Sequence, residues 1–337
     1  MRMLLIRLRF LARRIWNWDP KRLTEFLGYV KKLSKKPSWV LVPDMIWSAV
    51  VYTAPFEAYA QWDFFMLSGR ERRTFMTDAK SAILSNRFNS QEHRIFFDHK
   101  LNMLERFDAY LRREWFDVAA HDEQAFEEFV RRHGRVLAKE VMGGGGHGIE
   151  VIEANAVSDF PALRTRLLDH GQGMLEQFLP QHEGMNRLNP GAVNTMRIIT
   201  YLDPDDHVHV LTRCLKIGNQ GVIDNYSGGG MYTMLDERGV AMHAAYDQHN
   251  DIFETHPVTG TRIEGFQVPL FDELLAMMEH LAREIPTMPY IGWDMAITPD
   301  GPALIEGNHN TGAFQSRPYV SGIRTGDYPK YQAAMRL

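Results

Sequence analysis

Cysteine is nearly absent from this sequence. Of 337 residues, Cys214 alone carries a thiol. It can neither close an internal disulfide nor build a cysteine-based metal site, and a cytoplasmic setting is expected. Flanked by Arg213 and Leu215 in a strand-like run, it reads as a buried structural thiol rather than a nucleophile. Runs of about 18 uninterrupted apolar residues are missing too, so no membrane-crossing helix is expected. Fourteen histidines occur without an HExxH motif, and there is no GxSxG elbow, internal repeat or low-complexity tract. His207 and His209 share a strand face without an evident third ligand, while His93, His99 and His121 read as surface or capping residues. What is present, 45% apolar and 24% charged residues, is an ordinary globular composition. It excludes disordered, collagen-like and disulfide-scaffold proteins.

The net charge of −4 hides an asymmetry. Residues Met1 to Lys36 hold 11 Lys and Arg against Asp19 and Glu25, a net of +9, which leaves −13 for the rest. A basic opening suggests an anionic partner. The first residues read as an amphipathic surface helix with Trp16 and Trp18 at a membrane interface. Packing on the fold through Leu4, Leu8 and Leu11 is an equally open reading. The acidic remainder argues against a nucleic-acid reader.

From Pro43 to about Phe107 apolar residues recur at helical spacing. Trp47, Tyr52, Phe56, Tyr59, Trp62, Phe64 and Phe65 are mostly expected in the core. A helix over Asp122–His133 ends at Gly134. Strands follow at Arg135–Val141 and Ile149–Glu153, then a helix near Ser158–Leu168 and a strand at Met174–Phe178. Further strands are expected over Thr195–Leu202 and His207–Ile217, and an amphipathic helix over Leu270–Ile285. The last pair of strands, Ile291–Ile297 and Ala303–Asn308, forms a hairpin. Helices segregated from antiparallel strands indicate an α+β fold.

That hairpin carries chemistry. Pro299-Asp300-Gly301 suits a three-residue loop closed by Thr298 and Pro302. Counting back sets Asp294 opposite Glu306, with Asn308 further along the same face and Trp293 and Ile305 on the other. Two facing carboxylates repel and need neutralising. A hard cation such as Mg²⁺ suits Asp294, Glu306 and Asn308 as ligands, the bland alternative being an exposed, solvated hairpin. The glycine run Gly143, Gly144, Gly145 and Gly146, with Gly148, fits GxGxxG only formally, because a strand rather than a helix follows. It reads as a hairpin flap whose N–H groups close over phosphates. Lys100, Lys139, Arg197, Arg213 and Lys216 supply cations in or beside the ordered elements, where structural ion pairs are the alternative. Cations, an acidic metal site and a glycine flap are the parts of phosphoryl transfer.

Five stretches carry a family resemblance: Ala138-Lys139-Glu140 with the glycine run, Leu175-Glu176-Gln177-Phe178-Leu179, Asn194-Thr195-Met196-Arg197-Ile198, Trp293-Asp294-Met295-Ala296 and Leu304-Ile305-Glu306-Gly307-Asn308. Together with Asp63-Phe64-Phe65 and Ser68-Gly69-Arg70-Glu71-Arg72, they resemble the sugar-transfer-associated ATP-grasp family, related to the teichuronic-acid-biosynthesis type, over roughly Ala60 to Pro318. The resemblance implies two α+β subdomains gripping ATP. It divides the chain into a basic segment (1–40), a helical N-terminal domain (41–110), a flap subdomain (111–180) and a C-terminal metal, ATP and substrate subdomain (181–337). It implies that Lys100 and Lys139 contact phosphates or the adenine side, with Lys216 and the flap glycines also on the nucleotide. Glu176, Phe178 and Leu179 would form the adenine hinge and Glu183 would meet the ribose. Arg197 would neutralise the γ-phosphate or acyl phosphate, with Arg197 and Lys139 as catalytic residues, and Asp294, Glu306 and Asn308 would hold Mg²⁺. Asn310, Thr311, Arg317 and the Gly228–Gly230 loop line the acceptor side or are ordinary turn residues. Glu140 departs from the pattern, since many relatives carry proline there. The implied activity is an ATP- and Mg²⁺-dependent ligase joining a carboxylate to an amine, on a surface polysaccharide or small metabolite. The alternatives are a kinase acting on a hydroxyl and a non-catalytic ATP-binding adaptor.

Overall fold

The computed structural model describes residues 20–142, 148–219 and 228–337, with side chains from Thr24 onward. The opening segment with Leu4, Leu8, Leu11, Trp16 and Trp18, and the glycines Gly143–Gly146, lie outside these residues.

Among the described residues the strands form two antiparallel sheets. The smaller contains β1 (Trp115–Asp117), β2 (Arg135–Lys139), β3 (Glu150–Glu153) and β4 (Met174–Gln177), in spatial order β1-β4-β2-β3. Two helices pack on it. Glu123–His133 starts where Asp122 Oδ1 accepts the Ala125 N–H at 2.9 Å, and stops at Gly134, whose φ is +68°. Its stripe of Phe126, Phe129 and Val130 buries against Val136, Ile152 and Leu167, the last from the helix Phe160–Asp169.

The larger sheet contains β5 (Thr195–Leu202), β6 (Val208–Ile217), β7 (Met231–Met234), β8 (Ala245–Asp247), β9 (Ile252–Phe253), β10 (Tyr290–Thr298) and β11 (Gly301–Asn308). Their order is β11-β10-β5-β6-β7-β8-β9. Strands β5 and β10 are buried at every position, which requires cover on both faces. On one face Met196, Ile198, Leu215, Trp293 and Met295 meet the helix Phe271–Leu281 through Leu274 and Met278. On the other, Cys214, Tyr232 and Tyr246 share a core with Tyr59, Trp62 and Phe64 of the helical N-terminal stretch. The fold is α+β, with helices leading and antiparallel sheets following. Cys214 is fully buried.

Two expectations need correction. Trp47 is not core: it is 59% exposed, on a helix whose inward face is taken by Leu41, Met45 and Ser48. The terminal hairpin is also one residue tighter than expected, since Thr298 pairs with Gly301 rather than Pro302. Strand β11 then carries a bulge, with Met295 opposite Leu304 but Asp294 opposite Glu306. One residue lost at the turn and one gained at the bulge cancel, so the expected carboxylate pair forms. Ile305, the extra residue, does not join Trp293 on the far face. It packs with Ala296 and Ala303, which share the face of Asp294.

Candidate functional site

Asp294 lies between Arg197 of β5 and Glu306 of β11, and directly paired residues project to one face of a sheet. Arg197 grips it as a fork, Nε donating to Oδ1 at 2.6 Å and Nη2 to Oδ2 at 2.8 Å, while Nη1 donates to the Thr311 carbonyl at 2.9 Å. From β6, Lys216 Nζ reaches Oδ2 at 3.2 Å. All three side chains are almost wholly buried. Burial alone would raise the proton affinity of Asp294, but Arg197 and Lys216 outweigh it and hold the carboxylate ionised.

Glu306 has the opposite balance. Burial first, then the charge of Asp294, raises its proton affinity. The nearby Lys216 and Arg197 offset only part of that rise. Asn308 lies on the same edge, its carboxamide donating to Glu306 Oε1 at 3.3 Å. The repulsion read from the sequence is therefore met on one side only: cations hold Asp294 as the anion, while Glu306 faces that charge with its own proton affinity raised.

A second group of charges joins the two sheets. Glu176 in β4 is 2% exposed and accepts Arg113 Nη2 at 2.7 Å on one oxygen and Lys139 on the other. Burial works against its charge, yet the two cations depress it to about 2. Arg113 also donates to the Leu304 carbonyl at 2.6 Å and the Ile305 carbonyl at 3.2 Å, on either side of the bulge that sets Glu306. Lys100 opens the helix Lys100–Arg106, its N–H donating to Val141 O and its Nζ to Glu140 O at 2.9 Å. Burial, with Lys139 next to it, lowers its proton affinity, and Glu306, Glu140 and Glu176 partly restore it.

The structure thus brings Lys100, Lys139, Glu176, Arg197, Lys216, Asp294, Glu306 and Asn308 together. Leu179 joins them from the link after β4, packing on Ala296 and Ala303 two strand positions and more from Asp294. Phe178 follows Glu176 by two residues, its ring carrying the Arg135 guanidinium 4.2 Å from its centroid. Glu183 is exposed in the first turn of the helix Glu183–Leu188, beside the hairpin because His182 N–H donates to Ile297 O at 2.8 Å. Arg213 pairs across from Ile198 on the other face, near Asp236 and Glu237. Arg317 is no acceptor contact. It is completely buried, paired with Asp63 through two contacts of 3.0 Å. Thr311 is buried too, its hydroxyl bonded to Ser81 and Tyr290 while its carbonyl supports Arg197. Asn310 is exposed.

Sequence reasoning missed Arg113. It sits in the irregular link Arg112–Glu114, where no periodicity marks a side chain as inward, and its partners lie 63 and about 190 residues away in sequence. The donor set itself fits Mg²⁺. Two carboxylates and a carboxamide are hard oxygen ligands, and the Arg197 fork and Lys216 together take three of the roughly four lone-pair sites of Asp294, which leaves one for a metal.

Three solved structures of similar fold are as follows. The ADP complex of purK, N5-carboxyaminoimidazole ribonucleotide synthetase, matches at 13% identity and TM-score 0.39, over 63% of this chain and 45% of that one. The ATP-grasp ligase PsnB with its minimal precursor matches at 16% and 0.44, over 82% and 74%. D-alanyl-alanine synthetase A from Vibrio cholerae matches at 10% and 0.39, over 71% and 60%. This chain thus spans less than half of the first of these. No curated protein matches the sequence. A family profile does match, over residues 80–324, a span that holds both sheets and all the residues brought together around Asp294 and Glu176. The chain belongs to the sugar-transfer associated ATP-grasp family.

Proposed function

We propose that the protein is an ATP- and Mg²⁺-dependent ligase that activates a carboxylate as an acyl phosphate and passes it to an amine. The observation that carries this reading is the facing pair Asp294 and Glu306, buried side by side with Asn308 on the same edge. Two facing carboxylates with a carboxamide beside them form an oxygen donor set suited to a hard cation. Asp294, Glu306 and Asn308 would hold the ion, which supplies charge neutralisation on the nucleotide phosphates.

The cations of the chain divide the remaining work. Lys100 and Lys139 meet phosphate oxygens, and Lys139 is free to do so only by loosening its bond to Glu176. Leu179 provides an apolar floor for the adenine. Arg197 acts differently from the role its family position suggests: its fork fixes Asp294, while its charge stays beside the phosphoryl group. In the first step a substrate carboxylate oxygen bonds to the γ-phosphorus and ADP leaves. In the second the amine nitrogen bonds to the acyl carbon, phosphate leaves and the nitrogen loses a proton. Keeping water from the acyl phosphate falls to the glycine run between β2 and β3.

Purified protein incubated with ATP, Mg²⁺ and pooled acids and amines is expected to yield ADP, phosphate and an amide in equal amounts by mass detection. Glu306→Gln keeps the shape and removes the charge, so turnover should fall by at least about a hundredfold with melting temperature little changed. Full activity in that variant would refute the metal assignment. A stable phosphorylated product would mark a kinase instead.

A further inference from the structure

The helix Ser38–Val51 is apolar on two sides. At about 100° per residue, Leu41, Met45 and Ser48 fall on one side and are buried. Trp39, Pro43, Ile46 and Trp47 fall on the opposite side and are exposed, Trp39 at 78%, Ile46 at 48% and Trp47 at 59%. Two outward tryptophans and an isoleucine on one helix form a continuous apolar stripe, which a water-facing helix does not need.

The segment leading into this helix carries charge of one sign. Lys31, Lys32, Lys35 and Lys36 lead into the helix and are all exposed, Lys36 also donating to the Phe65 carbonyl at 3.0 Å. Between Glu25 and Asp44 the sequence holds no acidic residue. Asp44 itself is tied to the body of the protein, accepting the Tyr59 hydroxyl at 2.6 Å and the Arg72 guanidinium at 2.6 and 2.7 Å. No carboxylate of the helix is left to repel an anion from the stripe.

We infer that this stripe, with the four lysines beside it, docks the protein on an anionic lipid bilayer. Tryptophan belongs at the level of lipid headgroups, and each exposed lysine near the surface adds electrostatic attraction. The helix is about 21 Å long, too small a stripe for the roughly 800 Å² per partner of a stable protein interface. Lipid covers it without a matching second surface. No helix among the described residues is long and apolar enough to cross a membrane, so the contact is interfacial.

Flotation of the whole protein with vesicles tests this. Binding is expected to vesicles mixing phosphatidylcholine and phosphatidylglycerol, weakening with added salt, and to be much weaker on phosphatidylcholine alone. Replacing Trp39, Ile46 and Trp47 together by Ser should lower partitioning at least about tenfold. Replacing the four lysines by Gln should weaken the preference for phosphatidylglycerol, and an unchanged preference would remove them from the docking surface. A second measurement covers the case in which the serine variant loses its fold. Cys214 is fully buried, so a bimane dye on Ile46→Cys labels the stripe alone. Its emission should move to the blue with anionic vesicles and be quenched by nitroxide-labelled lipid. Absence of flotation, flotation undiminished in the folded serine variant, or a blue emission already present without lipid would overturn the inference. The last outcome would mean that another part of the chain or a second copy covers the stripe.

Discussion

Glu176 shows how much one buried carboxylate depends on its neighbours. With Arg113 and Lys139 in contact its proton affinity is depressed to about 2, from an ordinary value of about 4.5 in the unfolded chain. A depressed carboxylate stabilises the fold above its unfolded value and loses that contribution as pH falls toward the folded one. The contribution is on the order of 3 kcal/mol near neutrality, about half of it gone by pH ~3. Thermal unfolding of the wild type and Glu176→Gln between neutral and acidic pH should therefore give curves that converge on the acid side. Parallel curves would mean that the carboxylate gains nothing from its two cations. This residue was within reach of the sequence, through the Leu175–Leu179 motif. Arg113 was not, because an ion pair between distant segments leaves no local mark.

At the level of elements, local signals were the most readable. Asp122 and Gly134 bracket a helix as cap and stop, and their chemistry acts within a few residues. Asp122→Ala removes the acceptor for the Ala125 N–H and should cost about 1 kcal/mol, read as a lower urea midpoint with unchanged slope. The terminal hairpin is a subtler case. The expected pairing of Asp294 with Glu306 is observed, but by a tighter turn and a bulge that offset each other. Bulges are set by what the extra residue packs on, here Ile305 against Leu179, Ala296 and Ala303, and that is tertiary information. The helix Ser38–Val51 failed for another reason. A helix apolar on both sides gives no periodic sign of which side faces inward, so Trp47 was placed wrongly in the core.

On the scale of the molecule, the first and last parts of the described chain are locked together. Asp63 and Arg317 are completely buried against each other, and Asp63 also accepts the Tyr319 N–H at 2.9 Å. Arg317→Met would strand a charge in the interior and should cost about 3–5 kcal/mol, whereas Asp63→Leu with Arg317→Met should recover most of that loss. Chemical denaturation of the single and double variants measures both. An equal loss in the two would show that packing around the guanidinium, against Tyr29 and Tyr246, matters more than charge.

Among the described residues, strand β11 is the outer rail of the large sheet, with β10 on one side and no strand on the other. Its outward carbonyls are not left bare: Arg112 Nε donates to Pro302 O at 2.8 Å, and Arg113 takes Leu304 O and Ile305 O. Two consecutive guanidinium groups thereby occupy the positions at which a foreign strand would zip on. Arg113→Met should betray itself in storage before it does in an assay, as turbidity growing with protein concentration at a temperature the native chain tolerates. The arginines are a seal against self-templating as much as a link between lobes.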